Sequence, residues 1–223
     1  MVLSTEIALL GLVAAYLLGA IPTGFLLAKG LKGIDIREHG SGNTGATNVF
    51  RVVGKGAGIA ALTIDLLKGL AAVRLMIWLM NSPTSPFVQS KFYVANPDVR
   101  WSLISAAVCT LAGLLAVLGH SKSIWLGFRG GKSAATGLGV LLALSWPVGL
   151  GVAVVFGTAL GLSRTVSIGS IAAALSAFIF MVLTRQPAAY ILLSLFGGGY
   201  VVFLHRSNII RLMSGTEPKT FGR

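Results

Sequence analysis

Acidic side chains are scarce in this chain: six Asp and Glu stand against 18 Lys and Arg among 223 residues, and charged residues make up only 11% of the total. Average soluble domains carry roughly 25% charged residues. The hydrophobic share is 55% and the mean hydropathy is +0.85. A soluble protein of this length cannot hide so much apolar surface, because its interior is bounded by surface-to-volume scaling. Lipid is therefore the solvent for most of the chain. Cysteine is nearly absent, and the lone Cys109, set in an apolar run, excludes an intrachain disulfide framework. Met1 to Glu6 lacks the positive n-region of a signal peptide, so the apolar stretch that follows reads as a retained membrane helix. No basic stripe with interleaved aromatics stands clear of the apolar segments, which argues against nucleic acid as a partner.

Common catalytic signatures are missing too. No serine nucleophile elbow, zinc-type His/Glu cluster or carboxylate pair is readable. The stretch Gly127-Phe128-Arg129-Gly130-Gly131-Lys132-Ser133 comes near a P-loop, but G-x-x-x-x-G-K-[ST] requires glycine where Leu126 stands. Its flanks read as membrane helices rather than as a strand and crossover helix, so nucleotide hydrolysis is excluded. What is present is Lys, Arg, Ser, Asn and Gly, an inventory that binds anions well and does little covalent chemistry of its own. It suits a substrate that is already activated and negatively charged.

Runs of about 20 apolar residues mark candidate spans at Ile7–Ala28, Ile59–Met80, Trp101–Gly119, Ala134–Leu162, Ile168–Leu183 and Ala189–Leu204. The fourth is too long for one crossing and is punctuated by glycines and Pro147. Splitting it near Ser145–Pro147 gives two short helices, tilted or partly re-entrant. With Met1 outside, loops 29–58, 120–133 and 163–167 and the tail then share one side and hold thirteen of the 18 basic residues. Only Lys91, Arg100 and Arg185 lie in loops on the other side, as the positive-inside rule requires. The expectation is an all-α integral membrane protein of about seven transmembrane helices, some short or re-entrant. Its N-terminus is outside, its C-terminus is cytoplasmic, and residues 1–223 form a single domain.

Three polar segments fall on the basic side. In the first, Gly40 to Arg51, closely spaced glycines are expected to leave backbone amides uncovered. With the hydroxyls and amides of Ser41, Asn43, Thr47 and Asn48 they would make a concave phosphate site, which Arg51 can grip bidentately. Asp35, Arg37, Glu38 and His39 just upstream read as loop surface with local ion pairing. The second runs from Gly119-His120 through Gly130, Gly131 and Lys132 to Thr136. A Gly-Gly-Lys-Ser approach to a helix offers free amides, the positive helix end and an ammonium to a phosphate. The third is His205 to Leu212, where His205 and Asn208 are three apart and share a helical face. Ser167 and Ser170, beside Arg164, stand at the mouth of another helix, as phosphate donors or as caps. Asp65 and Lys68, also three apart, read as a neutralising pair inside the bundle.

These segments, in this order, resemble the PlsY family of acyl-phosphate-dependent glycerol-3-phosphate acyltransferases. SGNTGATNVFR resembles the first family motif, GH…GFRGGKSAAT the second and HRSNIIRL the third; TIDLLKG and VSIGS match as well, and the similarity runs from Tyr16 to Gly215. The family usually has Pro where Ser123 stands, Lys-Gly-Gly-Lys-Gly where residues 129–133 read RGGKS, and Glu where Ser207 stands. The resemblance implies a multi-pass enzyme of the bacterial inner membrane with a seven-helix core and a cytoplasm-facing site. Its substrates would be glycerol 3-phosphate and an acyl phosphate supplied by a soluble PlsX-type enzyme, with 1-acylglycerol 3-phosphate (lysophosphatidic acid) and phosphate as products. Family roles fall on Ser41, Asn43, Arg51, Lys132, Ser170, His205 and Asn208. No metal or organic cofactor is implied.

The residue reading and the resemblance combine into one expected mechanism. Arg51 and Lys132 hold the two phosphates and align the glycerol hydroxyl on the acyl carbonyl. Ser41, Asn43 and glycine amides stabilise the developing oxyanion. The proton goes to His205 or to a substrate phosphate oxygen; the latter is favoured because no carboxylate–His pairing is readable. A phosphate-ester transporter would need a matching polar site on the outer face, and the Asn81–Arg100 loop offers little of that chemistry. A CDP-alcohol transferase would need an aspartate-rich metal site, for which six scattered acidic residues do not suffice.

Overall fold

The computed structural model describes residues 2–81 and 100–220. Among the described residues there are ten α-helices: α1 Val2–Ala20, α2 Thr23–Lys32, α3 Ala46–Val52, α4 Lys55–Asn81, α5 Arg100–Ser121, α6 Ala134–Leu144, α7 Trp146–Ser163, α8 Val166–Leu183, α9 Ala188–Leu204 and α10 Arg206–Met213. Single 3-10 turns, Ile36–Glu38 and Ile124–Leu126, lie within the polar segments. The chain divides into two compact units, Met1–Leu144 and Ser145–Arg223. Lys91, counted above with the sparsely basic side, lies outside the described residues.

In the first unit α4 is the central helix, packed against α1, α3, α5 and α6, while α1 also lies along α5. The α4–α6 seam is close because glycine stands on both sides of it. A Cβ on Gly69 would strike the Thr136 carbonyl, and one on Gly139 would strike the carbonyl of Leu66. Small residues that let backbones approach are how helices associate where water supplies no hydrophobic drive. In the second unit α8 packs between α7 and α9.

Among the described residues, three stretches are long and apolar enough to cross a bilayer alone: Leu103–Ser121 of α5, Trp146–Ser163 and Val166–Leu183. Two bent pairs, α1 with α2 at 40° and α9 with α10 at 58°, raise the number to as many as five. Helix α4 has 27 residues but carries Lys55, Asp65, Lys68 and Arg74.

The expected span Ile7–Ala28 is corrected: it is broken between Ala20 and Thr23. Pro22 has no N–H and its ring clashes with the carbonyl four residues back, so a continuous helix cannot pass it. The carbonyls freed at the break find side-chain donors. Ala20 accepts from Ser123 Oγ at 2.6 Å and Ile21 accepts from Lys68 Nζ at 2.8 Å. The division expected near Ser145–Pro147 is present: Ser145 is extended and Pro147 sits in the first turn of α7. Helix α6 has 11 residues, which at 1.5 Å each gives about 16 Å, roughly half the thickness of a bilayer's hydrocarbon core.

Candidate active site

The first polar segment is organised by Asn48, only 2% exposed. Its Nδ2 donates to the carbonyls of His39 and Asn43, both at 2.9 Å, and to that of Ile36 at 3.3 Å. Its Oδ1 accepts from the backbone of Ser41 at 3.0 Å. Gly40, at φ 60°, passes so close that a Cβ there would strike Asn48 Oδ1. Asn43 Oδ1 accepts from Gly45 N at 2.8 Å, a local Asx turn. The whole segment is seated on α2 and α4 through an apolar cluster of Ala28, Ile36, Val49 and Ala61.

This arrangement corrects the expectation of uncovered amides. Those of Ser41, Gly42 and Gly45 are already bonded, to Asn48, to the His39 carbonyl at 3.1 Å and to Asn43. A loop of short polar residues satisfies its own backbone before it meets a ligand. Asn48, expected to touch substrate, is also the clamp of the loop. Ser41 and Arg51 remain exposed on either side of it, with Asn43 and Thr47 half-buried between. The expected local ion pair is present: Arg37 Nη2 lies 2.6 Å from Asp35 Oδ2. The side-chain hydrogen bond from Arg37 is the main cause that lowers the Asp35 carboxyl to about 2.

A buried charged group fixes the second segment. Lys68 Nζ lies 2.8 Å from Asp65 Oδ1, the neutralising pair expected from the sequence, and His120 Nδ1 approaches the same oxygen at 3.5 Å. The ring of His120 leaves no room for a side chain at 131, since a Cβ on Gly131 would strike Nε2. Gly131 N donates to the His120 carbonyl at 3.0 Å, so this amide too is bonded rather than free. A small cavity beside the group is lined by Thr23, Asp65, Lys68, His120, Ser123 and Gly130, among others. Lys132 is half-buried. Ser133 adopts φ 60°, a left-handed conformation that glycine takes without cost, and its hydroxyl donates to the Val117 carbonyl at 2.7 Å.

In the second unit the polar residues gather on a carboxylate that sequence reasoning missed. Glu217 Oε1 accepts from Ser167 Oγ at 2.8 Å and from Asn208 Nδ2 at 2.6 Å. Glu217 Oε2 accepts from Arg211 Nε at 2.7 Å. The Glu217 side chain is 5% exposed. Burial opposes its ionisation, yet the hydrogen bonds from Asn208, Ser167 and Arg211 outweigh burial and hold the carboxyl below its ordinary value. The folded-state pKa is thus the lower one. The stabilisation is complete above the ordinary glutamate range and is lost as pH falls through the folded value. A signal was present in the sequence: Glu217 is the only acidic side chain after Asp98. Ser167 and Ser170 are buried within the first turns of α8, whose N-cap is Thr165, so neither is the N-cap residue.

His205, at the bend between α9 and α10, is buried and its Nδ1 lies 2.8 Å from the Val201 carbonyl. A carbonyl can only accept, so Nδ1 carries the proton and Nε2 is the basic nitrogen of the neutral ring. Ser207 is exposed.

With this geometry established, comparison with known proteins is specific. The glycerol-3-phosphate acyltransferase family profile matches residues 9–215. A glycerol-3-phosphate acyltransferase of Acaryochloris marina is 51% identical, covering 93% of this chain and 90% of its own length. Glycerol-3-phosphate acyltransferase 2 of Rhizobium johnstonii is 52% identical, covering 94% of each chain. Two crystal structures of PlsY, an integral membrane glycerol 3-phosphate acyltransferase, share 37% identity with the chain. Its glycerol 3-phosphate form superposes with a TM-score of 0.81 and 96% coverage of both chains. The lysophosphatidic acid form gives 0.76, with 96% of this chain and 95% of the other covered. The chain is a multi-pass membrane protein and belongs to the PlsY family of glycerol-3-phosphate acyltransferases.

Proposed function

We propose that the protein transfers an acyl group from an acyl phosphate to the 1-hydroxyl of glycerol 3-phosphate, releasing lysophosphatidic acid and phosphate. The observation that carries this reading is the first segment, clamped by buried Asn48 so that Ser41 stands exposed on a fixed loop and Arg51 on the helix α3 that follows it. The glycerol oxygen attacks the acyl carbonyl, the bond from carbonyl carbon to phosphate oxygen breaks, and phosphate departs with its electron pair. A mixed anhydride needs no acyl-enzyme, which suits a chain whose three segments offer cations, hydroxyls and amides.

Arg51 and Lys132 bind the two phosphates, offset their repulsion and align the hydroxyl. Ser41 and Asn43 donate to the oxyanion, with Thr47, Gly130, Gly131 and Ser170 shaping the substrate contacts. The glycerol proton passes to a phosphate oxygen or to Nε2 of His205. The partner of His205 Nδ1 is a backbone carbonyl rather than a carboxylate, which favours substrate assistance. Residues 1–223 act as one acyltransferase domain in the bacterial inner membrane, with seven crossings, the N-terminus outside, and the site and C-terminus cytoplasmic. A soluble PlsX-type enzyme supplies the donor.

Purified protein in mild detergent, given glycerol 3-phosphate with palmitoyl phosphate, palmitoyl-CoA or an acyl carrier protein thioester in parallel, tests the reading. Product is expected from the acyl phosphate alone, falling about 100-fold or more in Arg51→Ala and Lys132→Ala. Turnover with thioesters would overturn the donor assignment. Unchanged rates in both variants would overturn the anion-site roles.

A further inference from the structure

Between α5 and Gly130 the chain makes a turn, residues 123–129, that contributes no residue to the proposed site. Leu126 N and Phe128 N both donate to the Ser123 carbonyl, at 3.1 and 2.8 Å, and Ser123 pairs with Arg129 across the neck. The turn is pinned twice to α1. Ser123 Oγ donates to the Ala20 carbonyl at 2.6 Å, and the Tyr16 hydroxyl donates to the Lys122 carbonyl at 2.7 Å. Of its large apolar side chains only Leu126 is buried, beside Asp65 and Lys68. Ile124, Trp125 and Phe128 are 48, 62 and 58% exposed. Gly127 and Phe128 both lie at positive φ, 63° and 60°. A bulky residue is strained there, and such strain persists only where the surrounding contacts over-determine it. The fold thus tolerates strain in a residue whose ring it leaves exposed.

Position, side-chain type and charge all point to one occupant. The turn begins two residues after Ser121, where a stretch long enough to cross a bilayer ends, so it lies at headgroup depth. Tryptophan and apolar side chains with a basic flank are what that depth accommodates. Lys122 and Arg129, at the two ends of the turn, are exposed as well. No Asp or Glu occurs between Asp98 and Glu217, so the flanking charge is of one sign. We propose that this turn is a binding site for the anionic phospholipid headgroups of the bilayer. Ile124, Trp125 and Phe128 enter the interface, and Lys122 and Arg129 attract the headgroup phosphates on either side. Gly130, Gly131 and Lys132 follow directly, so the seat holds that stretch at headgroup depth too. Nothing in this seat depends on the reaction that the protein performs.

The test needs no turnover. In bilayer discs, Trp125 emission is quenched by lipids brominated on the upper acyl chain only when those lipids lie against it. Trp78→Phe, Trp101→Phe and Trp146→Phe together leave Trp125 as the only tryptophan. Brominated phosphatidylglycerol and brominated phosphatidylcholine are then compared at equal mole fraction. Expected is quenching by both, with phosphatidylglycerol preferred about five-fold or more, the worth of a basic residue at an anionic surface. Lys122→Gln combined with Arg129→Gln is expected to bring the preference to about parity while quenching persists. Raised salt should do the same without those two substitutions. Acrylamide in the water should reach Trp125 poorly.

Equal quenching by the two lipids before the charges are removed would overturn the proposal, and so would a preference that survives the double substitution. A Trp125 open to acrylamide and untouched by either lipid would overturn the seat altogether, leaving the turn as a surface for a soluble partner. If the triple tryptophan substitution does not fold, the emission lost between wild type and Trp125→Phe, read under the same quenchers, decides.

Discussion

At the scale of single residues, Asn48 does the most for the first segment. One side chain supplies a donor to three carbonyls and an acceptor to one amide, from residues 36 to 43. Asn48→Ala leaves buried groups unmatched, each worth about 1–3 kcal/mol when unsatisfied. Melting in detergent is expected to show a loss of about 3 kcal/mol, and acyl transfer should fall with it as Ser41 and Arg51 lose their spacing. Asn48→Asp can still accept from Ser41 but cannot donate to the carbonyls, so it should be no better than alanine. Wild-type stability in either variant would show that the loop is held by its apolar seat on α2 and α4 alone. The sequence made Asn48 visible as a polar residue in a glycine-rich loop, which is why it read as a ligand contact. Its hydrogen-bond partners Ile36 and His39 lie outside the motif, and only the fold brings them to it. Glu217 escaped for a similar reason: it reaches Asn208 by a turn at Gly215, beyond the helical spacing that made His205 and Asn208 stand out.

At the scale of elements, the glycines of α6 separate into packing and non-packing positions. Gly139 faces α4, where a Cβ would meet the Leu66 carbonyl, while a Cβ on Gly137, two residues earlier, meets nothing within 4 Å. Gly139→Ala is therefore expected to cost about 1–3 kcal/mol through overpacking against backbone. Gly137→Ala should be neutral or gain up to about 1 kcal/mol from helix propensity. Melting temperatures of the two variants in one detergent give the comparison, and equal behaviour would mean that the α4–α6 seam opens easily. Periodicity could not separate these two residues, since the run 134–162 is apolar on every side and offers no polar face to orient it. It did yield the division at Ser145, because a proline and the charge balance of the loops both demanded one. The break before Thr23 carried the same kind of signal in Pro22, but the apolar run continues through it, so composition alone concealed it.

At the scale of the whole molecule, the seven-crossing arrangement rests on where the basic residues fall. Its consequence is sharpest for Arg164 and Arg185, the exposed residues at the two ends of α8. Counting α6 and α7 as two crossings places Arg164 in the cytoplasm and Arg185 outside; counting 134–162 as one crossing reverses both. The short α6 is the reason the count needs a test, since about 16 Å of helix spans a bilayer only where the membrane thins or its neighbours shield its ends. Arg164→Cys and Arg185→Cys, each in a Cys109→Ser background, present single thiols to a membrane-impermeant maleimide. In intact spheroplasts Arg185→Cys is expected to label and Arg164→Cys to label only after permeabilisation. The opposite pattern would make α6 and α7 one crossing and carry the tail, with Asn208 and Glu217, to the outer face. A soluble PlsX-type enzyme could not then deliver an acyl phosphate to that face, so the labelling decides the sidedness of the proposed reaction as well as the helix count.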